Sequence, residues 1–198
     1  MFRSAISARE RYGRLLVAII SAVIWATAGP PDASSAPGSK PTEYQVKAAY
    51  LYNFGKFIRW PAAGGKNDSF AICVLGRDPF GPTLDATLAG ETIDGRKVVA
   101  MRPARVQDAA ECRILFISAS ENARLDDILA VLGKTGVLTV SDMPQFTERG
   151  GMIQFVLESD RVRFEVNLGA AQRAGLSPSS ELLKVATAVR TTPTKESE

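Results

Sequence analysis

Between residues 42 and 190 the apolar positions recur in short blocks, and the spacing inside each block predicts the element it forms. In the run from Tyr44 to Pro61, Val46, Ala49, Tyr50, Phe54, Phe57 and Ile58 fall at helical spacing on one side. An aromatic-rich helix is therefore expected, ended by Trp60-Pro61 because a residue before proline is pushed out of the α region. Phe70 to Leu75 is a continuous apolar run and reads as a buried strand. Gly76-Arg77-Asp78-Pro79 follows as a turn with Asp78 as N-cap and Pro79 at the first helical position of a helix running through Leu88. Gly95 marks a turn before a strand from Lys97 to Met101, and Arg113 to Ile117 is a second buried strand. Ser118 to Glu121 caps a helix carrying Leu125, Ile128, Leu129 and Leu132, closed by Gly133 at C′.

A strand from Val137 to Val140 comes next, and then two alternating strands, Met152 to Leu157 and Val162 to Val166, joined around Ser159-Asp160. Their alternation predicts a hairpin with one wet face. A short helix from Leu168 to Ala174 and a longer one from Ser179, with Leu182, Ala186 and Val189 repeating, complete the pattern. Strands and helices that alternate and then give way to a hairpin indicate a single α/β domain with a mixed β-sheet flanked by helices, parallel in its first part.

The first 41 residues have a different character. Arg3, Arg9, Arg11 and Arg14 precede an uncharged apolar stretch from residue 15 to 28 that ends in Ala26-Thr27-Ala28. This is the pattern of a secretory signal peptide over residues 1–28, too short for a span of about 20 residues, with small residues at the cleavage site. Residues 29–41, rich in proline, serine and glycine, read as a disordered linker, 42–190 as the domain, and 191–198 as a flexible polar tail. The chain carries a formal net charge of +3, but loss of residues 1–28 leaves 20 basic and 20 acidic residues. Basicity therefore gives no reason to expect nucleic acid or an anionic membrane as partner, and the exported chain is expected to be soluble and not inserted in the membrane.

Cys73 and Cys112 are the two cysteines. In an oxidising compartment they fit one disulfide closing a loop of about 40 residues. Two buried free thiols are the alternative, since Cys73 lies within an apolar strand. No C-x-x-C pair is present to suggest a redox centre.

The chain contains no histidine, which removes the usual general base near neutral pH and the commonest metal ligand. Serine-hydrolase, zinc-protease, Walker and dinucleotide-binding motifs are absent from the sequence as well. Asp126-Asp127 and the pair Glu158 and Asp160 read as solvated surface. Neither an enzyme activity nor a cofactor is expected. One geometric feature remains: parallel strands ending at Leu75, Ile117 and Val140 would bring Arg77, Asp78, Ser118, Ser120, Ser141 and Asp142 to one sheet edge, where open α/β sheets hold ligands. Each of these residues also serves as an ordinary helix cap, so the same residues form a candidate crevice for a small molecule or anion, or simple capping.

The blocks YQVKAAYLYNFGKFIRWP from Tyr44, FAICVLG from Phe70 with the following Asp-Pro-Phe-Gly, Leu138-Thr-Val-Ser-Asp142, Gly150-Gly-Met-Ile153 and the closing VRFEVNL with Ala170-Ala171 occur in an order that resembles the YfiR-like family of periplasmic proteins, also called YfiR/HmsC. The resemblance covers about Thr42 to Arg190. It implies a periplasmic α/β domain that pairs as a homodimer and represses an inner-membrane diguanylate cyclase by contacting its sensor region, which lowers cyclic-di-GMP and restrains biofilm formation. It also implies a disulfide between Cys73 and Cys112. A second cysteine pair known in the family would fall near Phe146 and Gln154, where this chain has no cysteine. A partner surface needs exposed apolar or aromatic side chains, and Tyr44 and Tyr52, off the predicted stripe of the first helix, are the candidates.

Overall fold

The computed structural model describes residues 40–61 and 69–191. The expected signal peptide, all but the last two residues of the expected linker and all but the first of the expected tail lie outside the described residues. In chain order the elements are α1 (Glu43–Phe57), β1 (Ile58–Arg59), β2 (Ser69–Leu75), α2 (Pro82–Leu88), β3 (Thr92–Ile93), β4 (Arg96–Met101), β5 (Ile114–Ile117), α3 (Leu125–Leu132), β6 (Leu138–Ser141), β7 (Ile153–Glu158), β8 (Arg161–Asn167), α4 (Leu168–Arg173), β9 (Ser177–Pro178), α5 (Ser180–Val185) and β10 (Ala188–Arg190). Short 3-10 helices at Val106–Glu111 and Ala119–Arg124 flank β5.

The main sheet has the order β10-β8-β7-β6-β5-β2-β4-β3. Its middle, from β7 to β4, is parallel, while β3 and the β7–β8 hairpin are antiparallel additions. This is the mixed α/β architecture that the sequence pattern predicts. The two central strands, β2 and β5, are covered on both faces, so Phe70–Leu75 and Ile114–Ile117 are apolar without interruption. Along β2 the side chains alternate between two cores: Phe70, Ile72 and Val74 meet α1, α2 and α5, whereas Ala71, Cys73 and Leu75 meet α3 and the loop holding Met143 and Phe146. The Cys73–Cys112 disulfide lies in this second core, with both residues buried. Of the two states left open for these cysteines, the bonded one is present.

The hairpin turn at Ser159-Asp160 has φ of 49° and 60°, the left-handed pair required by a two-residue turn that matches strand twist. Where a second cysteine pair would fall, the contact is noncovalent: the Thr147 amide donates to Gln154 Oε1 at 3.3 Å, and a Cβ on Gly151 would lie 2.2 Å from the ring of buried Phe146. Asn167 ends β8 and caps α4, its Oδ1 accepting from the Ala170 amide at 2.9 Å while Nδ2 donates to the Thr147 carbonyl at 2.8 Å.

Five local expectations are corrected. The buried face of α1 is Lys47, Ala48, Leu51, Phe54 and Gly55, and Phe57 is 42% exposed. The helix also stops at Phe57, because Ile58 and Arg59 turn extended to pair with β9. Asp78 does not cap α2: it forms a turn, accepting from the amides of Phe80 and Gly81, and the helix starts at Pro82 after Phe80 has entered the core against Phe116. Gly133 is right-handed at φ −58°, and the left-handed glycine is Gly136 at φ 71°. The last helix is only Ser180–Val185, and Ala188–Arg190, expected to continue it, is a strand parallel to β8.

Candidate functional site

The C-terminal ends of β2, β5 and β6 do bring the six sequence-predicted residues to one edge, where most of their polar groups bind other parts of the fold. The Arg77 amide donates to Ser120 Oγ at 2.9 Å, and Ser120 Oγ bonds Ser118 Oγ at 3.3 Å. The Arg77 side chain is exposed. Ser141 is fully buried, donating to the Ile117 carbonyl at 2.7 Å and accepting from the Met143 amide at 3.1 Å. Asp78 Oδ2 accepts from Arg102 Nε at 3.0 Å, and Arg102 also grips Asp85 at 2.6 Å and 3.0 Å. That hydrogen bond from Arg102 holds the Asp85 carboxyl below the ordinary carboxylate range. A cleft of about 340 Å³ does open at this edge, lined by Ala119, Asn122, Met143, Pro144, Gln145 and Arg149, with Arg149 tied to Asn122 and Asp126.

Asp142 belongs to a buried charge cluster that the sequence pattern did not disclose. Lys47 is 3% exposed, yet its Nζ lies 2.6 Å from Asp142 Oδ2 and 2.5 Å from Glu43 Oε1. Tyr44 donates its hydroxyl to the same Asp142 oxygen at 3.1 Å and places its ring 4.5 Å from the Lys47 ammonium. Burial, then the Asp142 charge and the hydrogen bond to it, push the Tyr44 phenol up to about 12. The cluster fastens the start of α1 to the end of β6, and each member has its counter-charge or hydrogen bond within it. The signal that could have found it is Lys47 itself, a lysine beside Ala48 on the helix face that packs, one turn after Glu43.

The two tyrosines expected on a partner surface are both half-buried. Tyr44 meets Phe80 edge to face at 5.3 Å, and the Tyr52 hydroxyl donates to Glu91 while Lys56 lies 4.0 Å from its ring. The apolar surface of α1 is on another side. There a groove of about 310 Å³ runs between α1 and α5 over Phe164, walled by Tyr50, Phe54, Phe57, Leu182 and Val185, with Asn53 and Glu181 as its polar members. Phe57 is 42% and Val185 56% exposed beside it. Single exposed apolar residues are ordinary; here two of them flank one apolar groove.

Comparison with known proteins places this arrangement. The profile of a family described as YfiR/HmsC-like matches residues 44–187, from the start of α1 to the residue before β10. Among solved structures, a conserved domain protein from Vibrio cholerae O1 biovar eltor str. N16961 is similar with a TM-score of 0.53 at 11% identity, over 77% of this chain and 62% of that one. That likeness is one of fold. An ABC domain in complex with L-Trp from Streptococcus pneumonia reaches a TM-score of 0.48 at 10% identity, over 74% of this chain and 60% of that one. The chain thus spans less than two thirds of the length of either protein. No curated protein matches it. Among the described residues no helix is long and apolar enough to cross a membrane.

Proposed function

Since this chain belongs to the YfiR/HmsC-like family, which is associated with regulating diguanylate cyclases, we propose that it is a periplasmic, non-enzymatic regulator that represses such a cyclase by contact and so lowers cyclic-di-GMP. Its partner is the periplasmic sensor region of an inner-membrane signalling protein, and the working form is a homodimer. The family is a regulatory one, and the match extends across the domain rather than over one motif.

The observation that carries the reading at the level of residues is the groove between α1 and α5. Protein contacts draw their energy from a desolvated apolar centre, and here Phe57 and Val185 stand exposed beside Tyr50, Phe164 and Leu182. Tyr44 and Tyr52 remain the second candidate contact points. Their hydroxyls are held by Asp142 and Glu91, so replacing them perturbs folding together with any contact.

Phe57→Ser with Val185→Ser separates the two effects, because both side chains are largely solvated already and their loss should leave thermal unfolding within about 0.5 kcal/mol of the parent for each site. The double variant, expressed in place of the parent, is expected to raise cyclic-di-GMP and biofilm while accumulating to the parent's level. Unchanged cyclic-di-GMP would exclude the groove as the contact surface, and the same measurement on the Tyr44→Ser, Tyr52→Ser pair then decides for the other side of α1.

A further inference from the structure

A second cavity lies at the opposite, N-terminal edge of the parallel sheet, and its chemistry differs from that of the apolar groove. It holds about 550 Å³ and is walled by Lys56, Arg59, Trp60, Asp94, Arg96 and Arg113. Four parts of the chain deliver the cations. Lys56 lies in the last turn of α1, Arg59 closes β1, Arg96 opens β4, and Arg113 immediately precedes β5, its amide bonded to the Ala71 carbonyl at 2.9 Å. Four cations therefore line the cavity with one carboxylate, and that carboxylate is loosely held: Asp94 lies 3.7 Å from Arg96 with its side chain 79% exposed.

Two groups of the cavity wall lack partners among the described residues. The indole Nε1–H of Trp60 is buried with no hydrogen-bond acceptor there. A buried donor left unpaired costs free energy, and such groups point to something that completes them. Among the described residues the half-buried Arg113 has no hydrogen bond or ion pair through its guanidinium. Its pKa is held below the ordinary arginine value, first by burial and then by the charge of Arg96. Buried Phe70 packs behind two of the lining residues: Trp60 meets its ring edge to face at 5.3 Å, and the Arg96 guanidinium lies 5.8 Å from its centroid.

We propose that this cavity is a binding site for a small multiply charged oxyanion, a phosphate ester or a polycarboxylate, held by Arg96 and Arg113 with the Trp60 indole N–H as a further donor. Guanidinium forks suit such oxyanions, and the indole donor adds a neutral hydrogen bond that a point of positive surface would lack. The site is independent of the groove: Arg59 and Trp60 follow α1 on β1 and beyond, and none of the apolar groove residues walls it.

The test is calorimetric titration of the whole chain at low ionic strength with pyrophosphate, inorganic phosphate and citrate, in parallel with the indole N–H resonance of Trp60, assigned by its loss in Trp60→Phe. Saturable binding that moves this resonance is expected, preferring pyrophosphate or citrate over the smaller and less charged inorganic phosphate. Arg113→Gln and Arg96→Gln should each weaken it about 10- to 100-fold, as for hydrogen bonds to charged groups. Arg124→Ala, exposed beyond the C-terminal end of β5 at the opposite sheet edge, should leave it unchanged. Trp60→Phe keeps an aromatic side chain without the N–H and should cost a smaller factor. Absence of binding, binding that leaves the Trp60 resonance in place, or equal loss in Arg124→Ala would each overturn the assignment, and melting curves of the variants show whether a loss of binding is merely a loss of fold.

Discussion

Reduced protein should be less stable than oxidised protein by about 4 kcal/mol, the largest single effect expected in the fold. The disulfide joins Cys73, at the centre of β2, to Cys112, just before β5, across 39 positions of sequence. In the chain-entropy account a loop of that length restricts the unfolded chain by roughly this amount. Because Cys73 is 0% and Cys112 3% exposed, reductant should reach the bond only when the domain opens. Intact-mass measurement after alkylation should therefore find no labelled cysteine in untreated, denatured protein and two after reduction in denaturant. Refolded reduced protein should still give a cooperative denaturant transition at a lower midpoint, since a domain of this size has a core of its own. Two labelled cysteines without reduction would contradict the pairing.

Asp142→Ala should cost about 3 kcal/mol. It removes one of two counter-charges from a lysine that is 3% exposed, and a buried charge stripped of a partner is among the most destabilising single changes. Glu43 remains 2.5 Å from the ammonium and keeps the loss from being larger. The sharper test is the double replacement Lys47→Met with Asp142→Leu, which removes both charges and fills the space. It should recover most of the loss, because a buried pair exchanged for apolar side chains of similar size is often close to neutral. A double variant no better than Asp142→Ala would show that the cluster acts by something other than charge burial.

The layered part of the fold was legible in the sequence because its strands are apolar on both faces. Phe70 to Leu75 and Ile114 to Ile117 admit no other reading once helices lie on either side. The phase of α1 was misjudged for a physical reason. Aromatic side chains suggest the packed face, yet the buried face also includes Ala48 and Gly55, where a Cβ on Gly55 would sit 2.4 Å from Ile93 Cδ1, so that Phe54 alone of the helix aromatics is fully buried while Tyr50 and Phe57 lie on the flanks. The exposed Phe57, and with it the groove, followed from that shift. Ala188–Arg190 was read as helix because Leu182, Ala186 and Val189 repeat at helical spacing, whereas a three-residue strand at a sheet edge leaves no periodic trace.

Parallel topology brings Arg77, Ser118 and Ser141 to one edge, but spacing cannot reveal that Ser120 and Ser141 bind neighbouring backbone. The basic cavity is illegible in the sequence for the converse reason. Arg59, Arg96 and Arg113 are far apart in sequence, sit at the ends of three different strands and belong to no motif, so only the fold makes them neighbours.

The central claim is repression of cyclic-di-GMP synthesis from outside the inner membrane, and cellular cyclic-di-GMP in a gene-deletion strain tests it most directly. Deletion should raise the nucleotide, the full chain supplied in trans should restore the parental level, and the chain lacking residues 1–28 should fail to restore it because it is stranded on the wrong side of the membrane. Unchanged cyclic-di-GMP on outright deletion would contradict the account.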